Sequence, residues 1–143
     1  MSSRLKIIYE EVLFSPPITN SSQAYREFMS IWDTSTIRIV EKAYVLFLNG
    51  NNQVIGYYDI NTGTQREVSL HIKLCLACAL CCMAYKVIIA HSHPSGLLKP
   101  SELDILKTKK FKEACDLMDI EFEDHLIVTN TGYFSFVDNG IKI

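Results

Sequence analysis

The chain has 143 residues, 48% of them hydrophobic, and its 14 Lys and Arg against 16 Asp and Glu leave a formal charge of −2. A chain of this length can bury roughly 70% of the surface its unfolded form exposes, so one domain without disulfide support is expected, whereas a barrel of eight strand-helix units, at ~250 residues, is excluded. The near-neutral balance, with a pI of about 6.1, argues against a domain whose main task is to grip a phosphate backbone, although a local basic patch is compatible with it.

At the N-terminus, charges at Arg4, Lys6, Glu10 and Glu11 interrupt the apolar stretch, so neither a signal peptide nor a membrane-spanning helix fits and a cytoplasmic location is expected. Ser15-Pro16-Pro17 reads as a loop leading to Asn20-Ser21-Ser22, where Asn20 or Ser21 can cap a helix running to about Asp33. Tyr25, Phe28, Met29 and Trp32 form its apolar stripe. Ala43 to Leu48 and Gln53 to Tyr58 are β-rich runs joined by Asn49-Gly50-Asn51-Asn52, which predicts a hairpin.

After a polar loop around Gly63, Ser69 can cap an apolar helix reaching about Tyr85, and Lys86 to Ala90 reads as a short buried strand. A helix from Ser101 to about Asp119 follows. Leu126 to Thr129 and Tyr133 to Val137, around Asn130-Thr131-Gly132, are then the closing strands. The pattern predicts an α/β fold with a mixed sheet and flanking helices rather than a doubly wound one, with element ends placed to within about four residues.

Four of the five cysteines, Cys75, Cys78, Cys81 and Cys82, fall between Leu74 and Met83. Such crowding suits thiols in a reducing compartment. The spacing Cys75-x-x-Cys78-x-x-Cys81 resembles a ligand set, but cysteines at i, i+3 and i+6 drift around a helix. Leu70, Leu74, Ala77, Leu80, Cys81 and Ala84 recur at helical spacing, which favours a buried helix with cysteine packing as a small hydrophobe.

The chemistry concentrates in the segment Ala90 to Asp104, AHSHPSGLLKPSELD. Residues i and i+2 of a strand point to the same side, so His91 and His93 can present two imidazoles to one ion, and Asp104 in the next helix can supply a third ligand. Three protein ligands with a fourth position left for water distinguish a catalytic zinc site from a closed structural one; zinc held this way lowers the pKa of its water to ~7. The same residues have a plainer reading. Ser101-x-x-Asp104 after Pro100 is a helix-start box with Ser101 as cap. The two roles are compatible, since serine and aspartate can start the helix while facing a metal. His71 and His125 read as structural histidines.

His-x-His, seven residues, then Ser-x-x-Asp resembles the JAMM (JAB/MPN) metallopeptidase motif. The segments HSHPSG and PSELD, with Asp124-His125-Leu126-Ile127-Val128 and Tyr133-Phe134-Ser135-Phe136, are similar to the RadC-like branch of that family, from about Phe14 to Gly140. The resemblance implies a layered architecture shared with cytidine deaminases. It implies Zn2+ held by His91, His93 and Asp104, and Ser101 steadying the oxyanion. It also implies Glu41, just before the run AYVLFL, as the general base. Glu10, Glu11, Glu27 and Glu67 are rivals by residue type, and the resemblance alone selects Glu41. A deaminase would read His-x-Glu and later Pro-Cys-x-x-Cys, and a zincin His-Glu-x-x-His; both patterns are absent.

Lys107, Lys109, Lys110 and Lys112 crowd the last long helix, but Glu113, Asp116 and Asp119 follow at once, which favours a solvated face over a nucleic-acid surface. Full-length RadC-like proteins carry an N-terminal helix-hairpin-helix segment for which this chain has no room, so a DNA-repair role is expected to transfer least. The resulting expectation is a zinc metallohydrolase acting on an amide or isopeptide bond of a peptide or protein, without a membrane partner. The alternative is a non-catalytic protein- or DNA-binding module.

Overall fold

In the computed structural model, which describes residues 15–60 and 71–143, the first helix begins where the Asn20 side chain accepts from the Gln23 N–H at 2.9 Å. This is α1 (Ser21–Ile31). Its apolar stripe packs as expected: Phe28 and Trp32 are buried, and Tyr25 and Met29 lie against the same core.

The two β-rich runs form the hairpin β1 (Ala43–Leu48) and β2 (Val54–Asp59). The capping residue expected for the next helix, Ser69, lies outside the described residues, as do Leu70, Gly63 and the N-terminal charges. The helix itself, α2 (Ile72–Cys81), is followed by β3 (Lys86–Ser92), α3 (Glu102–Leu117), β4 (Glu121–Thr129) and β5 (Gly132–Ser135). These strands make one mixed sheet in the order β2-β1-β3-β4-β5, with β3 and β4 parallel and every other pairing antiparallel.

Every residue of β1 is buried, because the sheet is covered on both faces, and such a strand reads as an unbroken apolar run rather than an alternation. Val45, Phe47, Val87 and Ile89 meet Cys75 and Ala79 of α2 and Phe111 and Cys115 of α3. Tyr44, Leu46, Leu48, Ile88, Leu126 and Val128 meet α1 on the other face.

Two expectations for α2 need correction. The helix ends at Cys81 rather than near Tyr85: Met83 turns into the left-handed region at φ 55°. Met83 N–H then bonds to the Leu80 carbonyl (3.2 Å), and Ala84 N–H to that of Ala79 (2.9 Å). These two bonds are a Schellman closure made without glycine. The buried face is also different. Cys75, Leu76 and Ala79 face the core, while Leu74 and Leu80 are exposed, because a helix that is apolar on most sides gives periodicity nothing to choose between. The cysteine spacing accordingly scatters around the helix, from buried Cys75 to exposed Cys81. At the other ladders, β3 and β4 extend beyond the expected runs and β5 stops at Ser135.

Two outcomes follow. Met83→Gly, at a side chain that is 71% exposed, relieves a left-handed β-carbon and is expected to raise stability by about 1 kcal/mol in urea unfolding; an unchanged or lower midpoint would contradict this helix end. Burial pushes the thiols of Cys75 and Cys115 up to about 12. A thiol reagent should therefore label Cys81 in the native protein and reach those two only on unfolding.

Candidate metal centre

β3 runs through the middle of the sheet and delivers its C-terminal end to the N-terminus of α3, at the kind of strand edge where open sheets place their sites. His91, in register with Ala43 of β1, projects on the face that carries α2 and α3. His93 follows two residues later on the same side. Pro94 and Ser95 make a turn closed by Gly96 N–H to the His93 carbonyl at 2.9 Å. Gly96 sits at φ 78°, which a side chain rarely tolerates. This reversal returns the Leu97 carbonyl to His93 Nδ1, at 2.8 Å, and so fixes the imidazole.

The capping box read from Ser101 and Asp104 is present. Asp104 N–H donates to Ser101 Oγ at 3.0 Å, and Ser101 N–H donates to Asp104 Oδ2 at 2.8 Å. The boxed carboxylate also faces the histidines, with Oδ1 3.5 Å from His91 Nε2 and Oδ2 3.4 Å from His93 Nε2. Cap and site thus share one side chain. The Ser101 hydroxyl, having accepted one bond, keeps its own hydrogen to donate.

Glu41 reaches the same place through Ser92. That residue points to the opposite face from its histidine neighbours and is fully buried. Its Oγ accepts from Lys42 N–H at 2.9 Å and donates to the Val40 carbonyl at 3.3 Å, and its own N–H donates to the Lys42 carbonyl at 2.9 Å. The strap Val40–Lys42 is thereby clipped to the end of β3, with Glu41 opposite His93. One ligand atom from each of Glu41, His91, His93 and Asp104 lies within 4.8 Å of all the others. Of the rival glutamates, Glu27 sits on α1 beyond the other face of the sheet, and Glu10, Glu11 and Glu67 lie outside the described residues.

The donor set suits a divalent cation. His91 Nε2 and His93 Nε2 are 2.8 Å apart beside a carboxylate, so electron pairs converge where only a proton or a metal ion can bridge them, and imidazole with carboxylate oxygen is a zinc-type set. Burial pushes the Asp104 carboxyl up, but His91, His93 and the Ser101 N–H outweigh it and hold the group well below the usual carboxylate range. The Asp104 carboxylate raises His93 against the effect of burial, with help from the Leu97 carbonyl and Glu41.

Open space flanks the centre on two sides. A cavity of about 310 Å³ beyond His93 is lined by Ile37, Arg38 and the Thr129–Thr131 turn. A second, of about 320 Å³, is lined by Glu41, Leu97, Lys99, Pro100 and Ser101. His93, Pro94 and Ser95 form the ridge between them.

Sequence reasoning missed the layer beneath. His125 is 2% exposed; burial and the neighbouring His91 push its imidazole well below the ordinary histidine value. Its Nε2 lies 2.6 Å from His91 Nδ1 and its Nδ1 lies 2.6 Å from Thr108 Oγ1. The ring stacks on Phe136 with centroids 4.5 Å apart. Buried Asp124 secures the floor: it accepts from its neighbour His125 N–H (2.7 Å), from Val137 N–H (3.1 Å) and from Ser135 Oγ (2.5 Å). The motifs DHLIV and YFSF hold these residues, but only the pairing of β4 with β5 shows what they do. Of the lysines on α3, Lys109 and Lys110 are exposed, Lys107 and Lys112 half-buried, and Lys112 pairs with Asp116 at 2.9 Å. They are spread around the helix.

Among the described residues no helix is long and apolar enough to cross a membrane. The chain is 37% identical over 132 residues to a UPF0758 protein of Flavobacterium johnsoniae, covering 92% of this chain and 56% of that one. Against a UPF0758 protein of Porphyromonas gingivalis the identity is 37%, covering 87% of this chain and 54% of the relative. The UPF0758 protein YeeS of Escherichia coli is also 37% identical, over 85% of this chain and 80% of its own length. The chain therefore spans about half the length of the first two relatives and most of the third. The family model for the RadC-like JAB domain matches residues 18–141, nearly everything described above, and the chain belongs to that family.

Proposed function

We propose that this chain is a zinc-dependent hydrolase of JAMM type that cleaves an amide or isopeptide bond in a peptide or protein. The observation that carries the reading is the convergence of Glu41, His91, His93 and Asp104 at one point, at the C-terminal edge of β3 in a JAB-type sheet. His91, His93 and Asp104 would hold the ion. Zinc bound there supplies a Lewis acid that polarises a carbonyl and makes water acidic enough to lose a proton near neutral pH.

The chain's own residues divide the remaining work. Glu41 stands at the rim, where its carboxylate takes the proton from the attacking water and returns it to the leaving amine. Ser101, whose oxygen already accepts the Asp104 N–H, has its hydroxyl hydrogen left for the oxyanion that develops as the carbonyl is attacked. The two cavities either side of His93 suit a substrate that continues in both directions from the scissile bond, as a polypeptide does.

Elemental analysis after zinc reconstitution is expected to find about one zinc per wild-type chain, and none in folded His93→Ala or Asp104→Ala. A folded wild type without stoichiometric metal would overturn the assignment. Glu41→Gln is expected to keep its zinc and lose on the order of 10²–10⁴-fold in amide hydrolysis; undiminished turnover would remove Glu41 as the base.

A further inference from the structure

We propose that Thr108 and His125 are positioning residues that hold His91 with its Nε2 electron pair turned toward the metal site. The inference rests on the metal centre proposed above, and its starting point is a chain of hydrogen bonds in which each direction is forced by the one before. Thr108 Oγ1 lies 2.6 Å from the carbonyl oxygen of Asp104, one turn back on α3. A carbonyl only accepts, so the single hydroxyl hydrogen of Thr108 is committed there.

Toward His125 Nδ1, also 2.6 Å away, Thr108 can therefore only accept, and the His125 proton sits on Nδ1. The His125 ring is buried against Phe136, and its two nitrogens face the Thr108 hydroxyl and the His91 imidazole. A neutral imidazole carries a single proton, so with that proton on Nδ1 the His125 Nε2 is the acceptor. It faces His91 Nδ1 at 2.6 Å, which must then be the donor. With its proton on Nδ1, His91 has an electron pair on Nε2, the atom 3.5 Å from the Asp104 carboxylate and 2.8 Å from His93 Nε2.

A histidine that ligates a metal usually donates its far N–H to a carboxylate, a backbone carbonyl or water, and that partner selects the tautomer. His93 follows the rule through the Leu97 carbonyl. His91 lies deeper, and a second imidazole and a threonine carry the same instruction from the backbone of α3. The chain starts at the carbonyl of Asp104, so one residue supplies a ligand through its side chain and sets the tautomer of another through its backbone.

The sharpest test compares Thr108→Val, which keeps the shape and removes the acceptor, with Thr108→Ser, which restores the hydroxyl. In the valine variant the buried His125 Nδ1–H has no partner; the ring regains one by carrying its proton on Nε2, which leaves His91 to carry its own on Nε2, where the metal belongs. Zinc affinity, measured by competition with a chromophoric chelator, is expected to fall roughly 10–100-fold in Thr108→Val and to stay within about threefold of wild type in Thr108→Ser. Long-range nitrogen–proton correlation spectra of the zinc-free wild type, which need no variant, should place the His91 proton on Nδ1.

A folded Thr108→Val protein that binds zinc like wild type, or a wild-type spectrum with that proton on Nε2, would overturn the relay. If wild type takes up no zinc while the spectrum shows the Nδ1 form, the metal reading fails and the relay stands.

Discussion

The carboxylate of Asp104 closes the capping box that starts α3 and lies within 3.5 Å of two imidazoles. Helix placement and site electrostatics thus depend on one group. An N-cap is a local device, settled within four residues of chain. The carboxylate is consequently aimed before the long-range sheet contacts are considered, and the β3 edge needs only to bring the histidines to it. The cost of burying its charge is offset by the positive end of the helix and by the Ser101 N–H.

The period-2 geometry of β3 does the complementary work. His91 and His93 face the helical layer of α2 and α3, and Ser92 between them faces the other way. Alternation gives three consecutive residues two tasks: the histidines compose the centre, and the serine clips the strap that carries Glu41. The antiparallel register of β1 with β3, Ala43 opposite His91, then sets Glu41 against His93. A one-residue slip would turn both histidines away from α3 and send Ser92 toward it, so the sheet register and the site are specified together.

What the sequence revealed follows from the range of each interaction. The Ser101 and Asp104 box is encoded within four residues and His-x-His within three, and both were legible as physical patterns. Glu41 was legible only by resemblance, because its approach depends on strand pairing across fifty residues. His125 looked structural for the same reason: its partners Thr108 and His91 come from α3 and β3 and meet it only when β4 lies parallel to β3. The misplaced end and face of α2 have a different origin. A stop signal made by methionine in the left-handed region is invisible to a rule that looks for glycine, and a helix apolar on most sides offers no amphipathic stripe to orient it.

The distribution of sulfur in the chain bears on how the centre meets oxidants. All five cysteines are thiols, yet the converging donors are nitrogen and oxygen only. The α3 cysteine, Cys115, stands eleven residues down the helix from Asp104, about 16 Å at the helical rise. Peroxide that strips zinc from thiolate sites by converting ligands to sulfenates and disulfides finds nothing to convert at imidazole and carboxylate. The exposed thiol of Cys81 meets the oxidant instead, on the outer surface of α2. The chain thus keeps its oxidisable sulfur apart from the converging imidazole and carboxylate groups, a donor set that offers a thiol oxidant no ligand to convert.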